Sequence, residues 1–293
     1  MPLFKGAGTA LVTPMTDTGV DFDALGRLID YQLENGIDAL IPCGTTGEPS
    51  TLSDKECEDV IKFTVERVGK RVPVIAGAGS NSTAHAVEKA KKVQALGADG
   101  VLCVTPYYNK TTPAGLVAHF RAIADAVSVP LIMYNVPVRT GLNMKAETVA
   151  KLAGYPNIHA VKEASGDLAQ VTDIARLSGG KLAIYSGIDE LILPTMACGG
   201  SGVISVVSNT SPGDTHRLCQ SFLDGDIAEA RRLQFRLKPF IDVLFMETSP
   251  IPVKAALELM GICRATVRLP LVPIGADTMV RLKAEMAALG LIP

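Results

Sequence analysis

Ile158-His159-Ala160-Val161-Lys162 is the stretch on which the fold turns: a short apolar run with the composition of a buried strand, closed by a lysine. Seven more runs of this kind lie along the chain, at residues 9–13, 39–43, 72–76, 101–105, 131–134, 182–186 and 203–207. The segments between them have helical periodicity. Leu25, Leu28, Ile29 and Leu33, then Val60, Ile61, Thr64, Val65 and Val68, set apolar residues three and four apart. Ser53 followed by Glu56 is a capping box, and Gly36, Gly69 and Gly97 stand where three helices must end in a left-handed turn.

Strands alternating with helices at a repeat of about 30 residues imply parallel βαβ units. Eight such units without a long interruption predict an α/β chain closed as a (β/α)8 TIM barrel. The competing architecture, an open doubly wound sheet binding a dinucleotide, asks for a glycine fingerprint after its first strand, and no GxGxxG stands there. After Ser208 the pattern is helical only, at residues 226–245, 252–260 and 276–289. The expected division is therefore a barrel over residues 1–224 and a C-terminal helical extension over 225–293, packed on the barrel.

Composition excludes several functions. A chain of 293 residues can form one barrel, and 47% hydrophobic with 20% charged residues is an ordinary globular balance. A net charge of −2, with no basic cluster, provides no footprint for nucleic acid. No apolar run is long enough to span a bilayer, and residues 1–8 lack the charged and apolar regions of a secretory signal. The six cysteines, Cys43, Cys57, Cys103, Cys198, Cys219 and Cys263, are scattered without CxxC spacing. They read as free thiols in a reducing compartment, and a cytoplasmic location follows.

Lys162 breaks its strand pattern, whereas the other lysines stand in helical or loop contexts that allow a solvated head on a snorkelling stem. Burial favours the neutral amine, which can form a Schiff base with a ketone. Alternatively the strand ends at Lys162 and its head reaches solvent or a carboxylate.

In a barrel the active site is built by the loops after the strands. After the second strand, Gly44-Thr45-Thr46-Gly47-Glu48 offers hydroxyls and backbone N–H groups to a small carboxylate, or is a simple turn. After the fourth, Tyr107 and Tyr108 are adjacent and so cannot face one side of an extended segment; one can pack while the other presents its hydroxyl. The fifth strand ends in Tyr134, and its parallel neighbour carries Lys162. Tyr134 is then either a general acid and base beside an imine or a core aromatic. Arg139 can clamp a carboxylate through two N–H groups, or lie on the surface. Gly187 and Gly202 permit close approach of backbone to a ligand, or serve as turns.

The four histidines, His85, His119, His159 and His216, have no metal-ligand spacing, and Gly199-Gly200-Ser201-Gly202 precedes the eighth strand on the face opposite the active site. No metal and no cofactor are expected, and lysine-based covalent catalysis is favoured.

Four separated motifs, in order, resemble the dihydrodipicolinate synthase family: GTTGE at residues 44–48, YNVPVRTG at 134–141, VKEAS at 161–165 and SPIPVK at 249–254. The likeness runs from the first strand to the C-terminal helices. It implies a homotetrameric barrel, a dimer of dimers, condensing pyruvate with L-aspartate 4-semialdehyde for lysine and diaminopimelate biosynthesis. By that similarity Lys162 forms the imine with pyruvate, and Tyr134, Thr45 and Tyr108 form a proton relay, Tyr108 entering from a neighbouring subunit. Thr46 holds the pyruvate carboxylate, Arg139 the semialdehyde carboxylate, and backbone near Gly187 and Ile204 lines the pocket. N-acetylneuraminate lyase and the 2-keto-3-deoxy sugar acid aldolases share the lysine chemistry, but Arg139 suits a short substrate ending in a carboxylate better than a sugar acid. A catalytically silent scaffold would have no use for a buried lysine.

One departure bears on regulation. Many bacterial synthases of the family are inhibited by lysine at an interface site that includes a histidine and a glutamate; Cys57 and His85 stand at those positions here, while Asn81 and Tyr107 are retained. Losing a carboxylate partner for an ammonium costs about 1.5 to 3 kcal/mol, roughly ten- to a hundredfold in affinity, so weak or absent lysine feedback is expected.

Overall fold

Alternation of inward and outward side chains along eight short strands builds the architecture. The computed structural model describes residues 2–293. Apart from a two-residue antiparallel pair, Met15–Thr16 with Gly19–Val20, its strands are β1 Gly6–Ala10, β2 Ala39–Ile41, β3 Ile75–Gly77, β4 Gly100–Val104, β5 Leu131–Asn135, β6 Ile158–Glu163, β7 Ala183–Ser186 and β8 Gly202–Ser205. These eight form one parallel sheet in the order β2-β1-β8-β7-β6-β5-β4-β3. A parallel bridge from Leu40 to Val74 joins its two edges, and the N–H of Gly77 donates to Pro42 at 3.0 Å, so the sheet closes into a (β/α)8 barrel.

Helices α1 Phe22–Glu34, α2 Asp54–Val68, α3 Thr83–Ala95 and α4 Pro113–Asp125 follow the first four strands. Two short helices, α5 Pro137–Thr140 and α6 Ala146–Ala150, follow β5; α7 Leu168–Ser178, α8 Ile192–Ala197 and α9 Pro212–Leu223 follow β6, β7 and β8. Three more, α10 Ile227–Leu244, α11 Ile251–Leu259 and α12 Ala276–Leu289, complete the chain. Their starts are chemically set. Ser53 caps α2 in a reciprocal box with Glu56, while Thr112, with Pro113 in the first turn, opens α4.

The core has two layers. Ile132, Tyr134, Ala160 and Ala164 point into the barrel with Ile41, Ile75, Leu102 and Tyr185, while Met133, Val161 and Ile184 point out beneath the helices. Phe4 stacks on Tyr185 at 4.4 Å between ring centroids, and the Tyr185 hydroxyl donates to the Phe4 carbonyl at 2.7 Å, which fills the barrel interior away from the loops.

Some strand bounds differ from expectation. The first strand lies three residues earlier than the run 9–13, because its register with β8, Gly6 with Gly202 through Thr9 with Ser205, draws in residues that carry no strand signal of their own. Gly202 opens β8 against Gly6, outside the lining of the cavity described below: a Cβ there would stand 1.9 Å from the Gly6 carbonyl oxygen, so its bare backbone serves strand pairing. The six cysteines are unpaired, and among the described residues no helix is long and apolar enough to cross a membrane.

Candidate active site

The parallel register of β5 and β6 pairs Tyr134 with Lys162, both facing inward. Their side chains meet: Lys162 Nζ lies 4.4 Å from the centroid of the Tyr134 ring. Both are buried, Lys162 at 5% exposure and Tyr134 at 6%, so the amine is held among barrel side chains rather than reaching open solvent. The next residues on each strand face outward and fix the strand ends. Asn135 donates to the Glu163 carboxylate at 3.0 Å, Gln170 of α7 donates to it at 3.3 Å, and the N–H of Ser165 at 2.7 Å.

Lys162 and Tyr134 open into a cavity of about 480 Å³ that Thr45, Thr46, Arg139, Gly187 and Asp189 also line. Thr45 and Thr46 stand on a single 3-10 turn, Thr45–Gly47, braced by the Thr13 hydroxyl, which donates to the Gly47 carbonyl at 2.7 Å. Arg139 rides on α5 with an exposed side chain, and its Nη2 donates to the Ser249 carbonyl at 3.1 Å. Gly187 leaves room for its neighbours on β6: a Cβ there would lie 2.7 Å from Ala164 Cβ and 3.0 Å from Lys162 Cε. A guanidinium, two hydroxyls and an amine lining one cavity suit an α-keto acid and a second carboxylate.

The Ile204 side chain packs in the interior cluster, and Val206, two residues on, lines the cavity. Tyr108 is 91% exposed with φ at +68°, outside the cavity of its own chain. Neither adjacent tyrosine packs as a core residue, since Tyr107 is also 39% exposed and lines a second groove. That groove, of about 570 Å³, shares Thr45, Tyr134 and Arg139 with the cavity and extends to Cys57, His85 and Lys89.

Sequence reasoning missed three features. Asp189 is fully buried at the cavity wall; burial raises its pKa, opposed by the N–H groups of Val207 and Val206 and by the charge of Lys162. Its Oδ2 accepts from Val206 and Val207 at 3.0 and 2.8 Å, which pins the segment after β8. Ile241, Asp242 and Phe245, at the end of α10, form part of the wall, a contribution no local motif announces. Lys254 corrects the reading of the remaining lysines as solvated, because its side chain is wholly buried and paired with Glu48 at 2.7 Å.

Known proteins carry the same pattern. Residues 3–289 match the model of the dihydrodipicolinate synthetase family. A 4-hydroxy-tetrahydrodipicolinate synthase of Thermoanaerobacter sp. (strain X514) is 51% identical over 293 residues, covering 100% of this chain and 99% of the relative. The solved chloride-inhibited dihydrodipicolinate synthase of Acinetobacter baumannii complexed with pyruvate superposes with a TM-score of 0.96 at 42% identity, covering 98% of this chain and 99% of the other. The enzyme of Cyanidioschyzon merolae with lysine bound gives 0.96 at 45% identity, with complete coverage of both chains. With the motifs, the barrel and the family model in agreement over nearly the whole length, this chain belongs to the dihydrodipicolinate synthetase family.

Proposed function

We propose that this protein condenses pyruvate with L-aspartate 4-semialdehyde to 4-hydroxy-tetrahydrodipicolinate, the product its relatives are named for, through a Schiff base on Lys162. The observation that carries the reading is the buried Lys162 amine, 4.4 Å from the Tyr134 ring centroid, inside a cavity also lined by Thr45, Thr46 and Arg139. The amine adds to the C2 ketone of pyruvate, and loss of water from the carbinolamine leaves the imine. Water departs only with a proton, and the methyl group must then lose one to give the enamine; Tyr134, with Thr45, is the acid and base at hand. The enamine carbon attacks the aldehyde. The amino group of the semialdehyde then displaces Lys162, which closes the ring and frees the enzyme.

Thr46 is assigned to the pyruvate carboxylate, Arg139 to the semialdehyde carboxylate, and the backbone near Gly187 and Ile204 to the pocket lining. Tyr108 is assigned to a neighbouring subunit's relay in a homotetramer, a role supported by its exposure and its place outside the lining of its own chain's cavity. The free thiols accord with a cytoplasmic enzyme.

The test is turnover of pyruvate with aspartate 4-semialdehyde, followed by coupled reduction of the product, with N-acetylmannosamine as the competing aldehyde. Turnover with the semialdehyde alone supports the reading; turnover with the sugar alone moves the chain to the lyase branch. Lys162→Ala should abolish activity and the borohydride-trapped pyruvate adduct while the circular dichroism spectrum is unchanged. A variant with wild-type rates would remove the mechanism.

A further inference from the structure

The motif Ser249-Pro250-Ile251-Pro252-Val253-Lys254 plays no part in the chemistry above, yet it touches the site at two edges. Lys254, on α11, has a side chain exposed 0% and donates from Nζ to Glu48 Oε1 at 2.7 Å; the Glu48 side chain is exposed 2%, and its Oε2 has no partner among the described residues. Two charges 206 positions apart in sequence thus meet out of water. Stability does not account for the pair, because two desolvated ions gain little over apolar side chains of the same volume. Position does. Glu48 ends the turn Thr45–Gly47 in the left-handed region, φ +57°, with its N–H on the Thr45 carbonyl at 3.2 Å and its own carbonyl receiving the N–H of Thr51 at 3.1 Å. Its carboxylate is therefore the handle of the turn that carries Thr45 and Thr46. At the head of the same helix, Ser249 lines the cavity and its carbonyl receives Arg139 Nη2.

We infer that Lys254 is a positioning residue: through Glu48 it fixes the Thr45–Thr46 turn, and together with Ser249 it makes α11 the brace that holds that turn and Arg139 in register with Lys162. A buried ion pair has one low-energy geometry where apolar contacts slide, so it defines where the hydroxyls stand. The inference rests on the roles proposed above for Thr45 and Arg139.

The experiment compares wild type with Glu48→Gln/Lys254→Met, which removes both charges at similar volume and strands neither, and with Glu48→Gln alone. Thermal melting, borohydride trapping of pyruvate on Lys162 located by mass spectrometry, kcat, and KM for each substrate are measured. The double variant should melt close to wild type and still trap pyruvate on Lys162, with kcat at least tenfold lower and KM for the semialdehyde at least threefold higher. The single variant strands the Lys254 ammonium, so it should melt below the double variant while shifting kcat and KM in the same directions, and those values, corrected for the folded fraction, decide the matter if the double variant does not fold. Wild-type kcat and KM values, or a loss of activity that follows only the unfolded fraction, would overturn the positioning role. Absence of a trapped adduct in the wild type would instead overturn the active-site reading, and this role with it.

Discussion

Lys162 and Gly187 illustrate how closely one side chain is fitted to another residue's lack of one. Gly187→Ala would place a methyl 2.7 Å from Ala164 Cβ, closer than real contacts allow, and 3.0 Å from Lys162 Cε, tight enough to push the lysine. The variant should fold with a loss of about 1 to 3 kcal/mol. Its pyruvate trapping should slow at least tenfold, since about 1.4 kcal/mol of misplacement already costs that factor; a rate equal to wild type would show that the lysine has room to spare. Cys57 and His85 support a second prediction in the neighbouring groove. With a thiol and an imidazole there, sub-millimolar lysine should leave turnover nearly unchanged, and strong inhibition at that concentration would contradict the expectation. Lys162 was legible in the sequence because an ammonium inside an apolar strand needs a reason, whereas Lys254 was not, because an amphipathic helix looks alike whether its lysine meets water or a distant glutamate.

At the scale of elements, the strands set side-chain direction and the junctions at their starts set stability. Asp38, just before β2, accepts from the N–H of Ala7 on β1 at 2.8 Å and pairs with His216 Nδ1 on α9 at 2.9 Å, so one carboxylate joins three elements away from the catalytic loops. Its hydrogen bond raises the His216 pKa above the ordinary 6.5. A histidine with a raised folded pKa adds stability that is fully present below its unfolded value, about 6.5, and is lost as pH rises through the folded value. Melting of wild type and His216→Asn across pH 5 to 9 should show wild type more stable by its largest margin near pH 5 to 6, with the gap narrowing on the alkaline side. A gap independent of pH would mean that the imidazole contributes only packing. Periodicity found every barrel strand but not every boundary: the apolar run 72–76 starts three residues before β3, and the start of β1 went unsignalled, because glycines at positions 6 and 8 carry no hydrophobic signal and only the partner strand decides that they belong to a sheet.

For the whole molecule, the exposed Tyr108 leads to a test of assembly. If it completes a neighbour's relay, Tyr108→Phe should lower kcat at least tenfold, and mixing it with Lys162→Ala under conditions that exchange subunits should recover activity above the sum of the two. Mixed assemblies then contain sites with a wild-type lysine and a wild-type tyrosine. No recovery, with subunit exchange verified by mass, would place Tyr108 in its own chain's chemistry or in none. The sequence by itself determined the eight-unit barrel, the lysine and tyrosine on adjacent strands, and the family motifs, because hydrophobic period and strand order are local properties that a closed parallel sheet converts directly into direction and neighbourhood. Only the tertiary structure decided that α10 walls the cavity, that Asp189 is buried at its edge, that the Val206 side chain lines it, and that Lys254 reaches Glu48. Those contacts join residues dozens to hundreds of positions apart, and which buried groups meet depends on how the layers pack, a property that no single segment encodes.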